Sequence, residues 1–331
     1  MSKKHAFGAL LVALIFSPAI QAGSLDNYVI GLFPKNVTEF AYADLDQARQ
    51  LPWFAQFQQQ VLPPSVIDFE RFLSSAGIDP NTQIKQIAWA IGSNGKEAAD
   101  SSSSNPEAGK IVAIALGDFS TESAEAAFKS RKLPKFEVDG YTLYSSGVMS
   151  GGSSFFVLFI DSNTIAFGQR DLVEQVAHVE AGAAESLLAN RRMFPLIDKV
   201  NDSGTFWGVL NSAGARQAMQ RLAPGISKFP AAGKLLQKLQ AFTVSVKSSE
   251  TTQASFQVVC DSPEDTLIFS QLLQAGLLYR KYEAGQNDPS LAHMLDQASI
   301  ASNGTQVDIT MEATNEELIS LIQHDSFAAP M

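Results

Sequence analysis

Cysteine is almost missing from this chain: Cys260 stands alone among 331 residues. A single thiol cannot close an internal disulfide, so stability has to come from burial rather than covalent staples. Cys260 ends the alternating segment QASFQVVC (253–260), where a small buried apolar residue serves equally well. No histidine with a supporting acid or amide can be placed beside it from sequence, which makes packing its expected role.

Histidine is scarce too. Beyond residue 22 there are His178, His293 and His324, none spaced to put two imidazoles on one helix face, and there is no cysteine cluster. No metal is therefore expected. Phosphate-binding loops are lacking, because SNPEAGK (104–110) ends in Gly-Lys without the earlier glycine or the following Ser/Thr. No Gly-x-Ser-x-Gly elbow occurs, and Ser150 in GVMSGG (147–152) reads as part of a hairpin turn. Catalytic, cofactor-binding and metal residues thus remain unassigned, and no cofactor is expected. Asp44, Asp118, Asp161 and Asp171 all stand at strand–helix or strand–turn junctions, where helix capping is the default role of such acids.

Positive charge is in deficit, with 24 basic against 34 acidic residues. Removing residues 1–22 takes away Lys3 and Lys4 and no acid, leaving 22 against 34, near −12. Such a balance, without a basic stripe interleaved with aromatics, argues against nucleic acid or anionic lipid as a partner.

Long apolar runs are also lacking. The run Ala6–Phe16 falls short of the roughly 20 residues a membrane-crossing helix needs. Its setting, with Lys3 and Lys4 before it, Pro18 after it and small residues around Ala22, is that of a secretory signal peptide. Cleavage is expected after Ala22, although Ile20 makes the site imperfect and Ser24 is a usable alternative end. With no cysteine near the cut, lipid attachment there is excluded, and the mature chain is expected in the periplasm or secreted. Later, TLIFSQLLQAGLLY (266–279) is apolar nearly all round but is interrupted by Ser270, Gln271 and Gln274, so no transmembrane segment is expected in the mature chain. Its Leu267, Ile268, Leu272, Leu273, Leu277 and Leu278 exceed what one sheet face covers. Either the short helix expected at 290–298 packs on its other side, or a second protein does.

What is present is a steady alternation of strands and helices. Strands are expected at 37–45, IKQIAWAIG, KIVAIALGD, YTLYSS, FFVLFID, NTIAFGQ, GTFWGVLN, AFTVSVKSS and TQASFQVVC. A hairpin with Asn303-Gly304 as its turn follows. Helices are expected at VIDFERFLSSAG, with Val66, Phe69, Phe72 and Leu73 on one face, and at STESAEAAFKS, DLVEQVAHV, SAGARQAMQRL, PEDTLIFSQLLQAGLLYRKYEA, SLAHMLDQA and TNEELISLIQ. Another, ESLLANRRMFPLIDKVN (185–201), is expected to break or kink near Pro195. The seventeen residues SNGKEAADSSSSNPEAG (93–109) have almost nothing to bury and are expected as a mobile surface loop.

The element order occurs twice. DQARQ aligns with AGARQ, setting Arg49 on Arg216 and Asp44 on Asn211 at an offset of 167. Asp118 aligns with Asp261, and Asp171 with Glu174 aligns with Thr314 with Glu317, both at 143. Both of the latter pairs have capping-box spacing. The excess of 24 in the first half is absorbed by an extra helix at 65–76 and the Ser-rich loop. These features predict an α+β fold of two similar halves, each a largely antiparallel sheet with helices on one face. The expected division is a signal peptide at 1–22, an N-terminal half at 23–182, a connecting helical segment at 183–203 and a C-terminal half at 204–331.

The run NTIAFGQRDLVEQVAHVEAGAAESLLANRRMFPLIDKVNDSGTFWGVLN (163–211), preceded by GDFSTESAEAAFKSRKL (117–133) and the YTLYSS strand, resembles a group of uncharacterised exported bacterial proteins of acidobacterial type. That resemblance covers most of 37–320. It implies two similar α+β halves and an exported location, and it carries over no catalytic residue. The expected function is a non-enzymatic binding or interaction module of the cell envelope with a protein or small-molecule partner. The alternative is a periplasmic hydrolase whose acid pair is hidden from sequence.

Overall fold

The structure is a computed structural model that describes residues 23–61, 64–92, 110–148, 154–222 and 230–323. The expected loop 93–109, Ser150 and His324 lie outside the described residues.

Among the described residues twelve strands form one sheet: β1 (Val37–Asp44), β2 (Ile84–Gly92), β3 (Ile111–Gly117), β4 (Lys135–Val138), β5 (Tyr141–Val148), β6 (Ser154–Phe159), β7 (Thr164–Gly168), β8 (Phe206–Asn211), β9 (Leu239–Ser248), β10 (Thr251–Cys260), β11 (Ser299–Asn303) and β12 (Gln306–Thr314). Their order is β11-β12-β10-β9-β8-β1-β2-β3-β7-β6-β5-β4, and every neighbouring pair is antiparallel. The helices are α1 (Asn27–Gly31), α2 (Leu45–Ala48), α3 (Phe54–Val61), α4 (Pro64–Ser75), α5 (Pro80–Gln83), α6 (Thr121–Ser130), α7 (Arg170–Glu180), α8 (Phe194–Val200), α9 (Ser212–Leu222), α10 (Pro230–Leu236), α11 (Pro263–Asn287), α12 (Pro289–Asp296) and α13 (Asn315–Gln323).

The chain is α+β, but its strands do not divide into two separate sheets. β1 and β8 pair at the middle, with Tyr42 opposite Trp207 and Phe40 opposite Val209. Nor are helices confined to one face. Alternate residues of β2, β3, β6 and β7 enter two different cores: Ala88, Ala90, Val112, Ile114, Leu158 and Ala166 on one side, Ala113, Ala115, Val157, Ile165 and Phe167 on the other. Residues of α1, α7 and α8 complete the first core, and residues of α4 and α6 complete the second. The reason is legible in the strands themselves, whose runs IAWAIG, IVAIALG and TIAFG are apolar at successive positions, so both faces must be covered.

The break expected in 185–201 is present, between a 3-10 turn at Leu187–Ala189 and α8, and Pro195 lies in the first turn of α8, where its missing N–H costs nothing. Other local expectations change. The last hairpin pairs Asn303 with Gln306, so its two loop residues are Gly304 and Thr305 rather than Asn303 and Gly304. With Gly304 at φ 58°, this is the arrangement in which glycine takes the first loop position. A further hairpin escaped the sequence reading: β4 turns into β5 through Asp139 and Gly140, both at positive φ (47° and 87°). The Asp-Gly pair was its signal, overlooked because KFEV is only four residues long.

Candidate functional site

The capping acids settle into distinct jobs. Asp44 does cap α2, accepting from the Gln47 backbone N–H at 2.9 Å and from Gln47 Nε2 at 2.8 Å, and it is buried. Asp118 caps nothing; it pairs with Lys85 at 2.6 Å, while Ser120 occupies the N-cap of α6. Asp161 closes the turn before β7 by accepting from Asn163 N at 2.7 Å. Asp171 lies inside the first turn of α7 and pairs with Lys110, and Glu174 pairs with Arg170, so the expected capping box at 171–174 does not form. The helix starts earlier than the spacing implies, with Gln169 at its N-cap and tied to Ile111, which leaves Asp171 inside the first turn.

The corresponding box before α13 does form. Glu317 Oε2 accepts from Thr314 N at 2.8 Å and Thr314 Oγ1 at 3.0 Å, and Glu317 N donates back to Thr314 Oγ1 at 3.2 Å. Glu317 also pairs with His293 Nδ1. Burial pushes the Glu317 carboxyl up, but the Thr314 donors and His293 outweigh it and hold the group below its ordinary value. Such a depressed acid contributes stability above the unfolded-state pKa, about 4.3, and loses it as pH falls through the lower folded value. Glu317→Ala is therefore expected to cost about 1 kcal/mol near pH 7. That difference should shrink in acid, as thermal melts at pH 7 and below pH 4 would register; a gap independent of pH would contradict the assignment.

The other histidine pair is His178 with Asp139 at 2.5 Å, both partly exposed, across the β4–β5 turn. Among the described residues no group of three or more His, Cys, Asp or Glu side chains could hold a metal ion. Cys260 is buried, and burial pushes its thiol pKa up, away from the thiolate a nucleophile needs.

Two surface features stand apart. One is an open groove of about 300 Å³ lined by Asn27, Tyr28, Val179, Glu180 and Leu188, beside a wider hollow of about 600 Å³ that shares Leu188 and is lined by Lys35, Glu185, Asn190, Arg191 and Arg192. Tyr28 Oη donates to Glu180 at 3.1 Å; burial and the Glu180 charge push its pKa up to about 12.

The second feature is α11. Ser262 caps it, accepting from Asp265 N, with Pro263 in the first turn and Glu264 and Asp265 at its positive end. Its 25 residues make a rod about 37 Å long. The face against the sheet carries Phe269 and Leu273, but also Thr266 and Ser270, which are fully or nearly fully buried. Thr266 is accommodated by donating to Ser262 O at 2.8 Å. The opposite face exposes Leu267, Ile268, Leu272, Leu278 (67%), Tyr279 (62%) and Tyr282 (70%). At 100° per residue these six span about 140° of the helix, a single stripe. The sequence predicted either α12 or a second protein over this side. α12 packs beside α11, through contacts that include Lys281 with Asp296 at 3.4 Å, yet leaves the stripe open and buries none of its own residues fully. Among the described residues, no helix is long and apolar enough to cross a membrane.

No family model matches the sequence, and no curated protein matches it. Among solved structures the chain is similar to crystal form I of TP0453, at 11% identity and a TM-score of 0.50, over 91% of this chain and 98% of that one. Crystal form III of TP0453 matches with the same identity and TM-score, over 91% and 99%. At this identity the likeness extends to the fold.

Proposed function

We propose that this chain is an exported interaction protein of the cell envelope and that the outer face of α11 is where a protein partner sits. The observation that carries the reading is the inversion of that helix: Thr266 and Ser270 point inward while Leu278, Tyr279 and Tyr282 stand in water. A helix whose outer stripe is more apolar than parts of its inner one spends hydration free energy in the isolated chain and recovers it only when covered. Covering six half-exposed large side chains yields about 5–10 kcal/mol gross, at roughly 1.5–3 kcal/mol for each full burial. Association costs about 4–15 kcal/mol. The stripe alone thus roughly offsets the cost of association, and a tight complex needs further contacts beyond it.

The reading includes export through the leader at 1–22 and a duplicated scaffold. Reading outward from the central β1–β8 pair, the order β1-β2-β3-β7-β6 in one half parallels β8-β9-β10-β12-β11 in the other. Asn211 accepts from Ala213 N and Gly214 N where its counterpart Asp44 caps α2. Asp118 N donates to Gln83 O and Asp261 N to Lys238 O, each at 3.0 Å and each just ahead of the second strand of its half. These correspondences support an internal repeat.

A photo-crosslinking residue placed at Tyr279 in the exported protein is expected to give a light-dependent adduct in intact cells, and one at the exposed Glu137 is not. Adding Leu278→Glu and Tyr282→Glu should abolish the adduct while shifting stability by less than about 1 kcal/mol, since both side chains already stand in solvent. Equal labelling from the two positions, or none, would remove the basis for the reading.

A further inference from the structure

Gly23 follows the expected cleavage point, and the chain from there is not a loose tail. Gly23 and Leu25 are buried, and Asn201 clamps the backbone on both sides of Leu25, accepting from its N–H and donating to its carbonyl, each at 2.9 Å. A β-carbon added to Gly23 would lie 2.7 Å from Tyr42 Oη, 2.8 Å from Asp44 Cβ and 2.9 Å from Asp44 Oδ2. No side chain fits there without displacement, so glycine is required by space. The α-nitrogen of any residue sits about 2.5 Å from its β-carbon position, from standard bond lengths and a tetrahedral angle. The Gly23 nitrogen is thus within roughly 5.4 Å of the Asp44 carboxylate whatever its direction, inside the range in which an opposite charge favours ionisation.

What that nitrogen meets is incomplete. Asp44 is buried, with 8% of its surface exposed, and its two hydrogen bonds come from Gln47, an uncharged donor. Tyr42 Oη is buried with no hydrogen-bond partner among the described residues. A buried carboxylate with no cationic partner among the described residues and an orphaned hydroxyl, side by side, are each costly as they stand. Within the uncut chain the Gly23 nitrogen is an amide and neutral. Hydrolysis of the Ala22–Gly23 peptide by a signal peptidase, with water adding its hydroxyl to the Ala22 carbonyl carbon and a proton to the departing nitrogen, leaves an α-amine that is protonated at neutral pH.

The geometry points to a docking site for the processed N-terminus: the Gly23 α-ammonium created by cleavage after Ala22 folds into the β1–β8 seam and completes an ion pair with Asp44, with Tyr42 Oη as a second acceptor. The fold then carries a sensor of its own maturation, because only a chain cut at this bond supplies the missing charge at this place. Asp44 holds the start of α2 and donates its own N–H to Thr205 O at 2.9 Å, ahead of β8, so the pair tightens the junction between the two ends of the sheet.

This inference rests on the export reading, and the experiment separates the two. Intact mass and N-terminal sequencing of the protein recovered from its exporting cell should give Gly23 as the first residue. An uncut chain would sink both ideas, and a start at any other residue would sink this one alone. A chain beginning at Gly23 is then compared with one carrying Ala22 as an extra residue, each with Asp44 and with Asp44→Asn, in urea unfolding. The extension is expected to raise the unfolding equilibrium constant roughly tenfold in the first background and less than about twofold in the second, a coupling typical of contacting charged groups. Equal effects in both backgrounds would overturn the pairing. A readout that needs no variant is the rate of cyanate reaction at the α-amine of the chain beginning at Gly23, expected to be at least about tenfold slower than in the unfolded chain. An unprotected amine would also overturn it.

Discussion

Trp207→Ala lowers the unfolding free energy by roughly 3–5 kcal/mol, the range for truncating a large buried aromatic. Trp207 is 2% exposed and sits opposite Tyr42 across the β1–β8 pair, its ring centroid 5.2 Å from that of Tyr42 and 5.8 Å from that of Phe40. Phe33 extends the cluster by meeting Phe40 edge-on at 4.9 Å. The loss is one of packing, because the indole Nε1 has no hydrogen-bond partner among the described residues. Trp207→Phe should therefore cost far less, since it keeps an aromatic in the stack and removes a buried donor left unsatisfied. Urea unfolding followed by far-ultraviolet circular dichroism measures both. A loss below about 1 kcal/mol for the alanine variant would mean that the two ends of the sheet are not cemented at this seam.

Gly117→Ala is expected to cost about 2–4 kcal/mol, although it adds one methyl group. A β-carbon there would lie 1.8 Å from Gln83 O and 2.8 Å from Gln83 C, and backbone cannot swing aside as a side chain can. Gly117 ends β3 against the start of β2, and it is tied on both sides, its N–H to Asn163 O and its carbonyl to Asn163 Nδ2. Asp118 N bonds the same Gln83 O, so moving Gln83 away breaks that link as well. The control is Gly276→Ala on α11, where nothing lies within 4 Å of the added carbon. In a helix interior that change is expected to stabilise by about 0.5–1 kcal/mol. Opposite signs from the same substitution at two glycines would separate close approach from conformational entropy. A Gly117→Ala melting curve matching the unaltered protein would show that β2 and β3 can part there without cost.

The reach of the sequence varies along the chain for identifiable reasons. Strands β2, β3 and β7 were legible because their apolar runs are short and bounded, and α11 because Ser262 and Pro263 mark its start. The same apolar runs also held the evidence against helices on one face. β4 was missed because four residues with alternating exposure, closed by Asp139-Gly140, give too little pattern to stand out. The capping box at 171–174 fails because its spacing is a local criterion, whereas the start of α7 is set by the pairing of Gln169 with Ile111 of β3, which puts Asp171 inside the helix. The candidate site was half legible: the excess of apolar residues on 264–284 called for cover by the short helix at 290–298 or by a second protein, but nothing local said which side would be left open.

By itself, the sequence determined the α+β class, nearly every long strand and helix, the lack of covalent staples and the surplus of apolar surface on α11. Each of these depends on residues within a few positions of one another or on composition. Only the tertiary structure decided that strands from both halves share one twelve-stranded sheet, that Gly23 lies against Asp44 and Tyr42, and that the open face of α11 is the one bearing Tyr279 and Tyr282. A helix apolar on both sides has no preferred side in its own pattern, and a glycine beside a buried acid far along the chain leaves no periodic trace. Which neighbours meet is fixed by the long-range register of β1 on β8, where burial of Phe40, Tyr42 and Trp207 selects one pairing out of many that the local signals would allow.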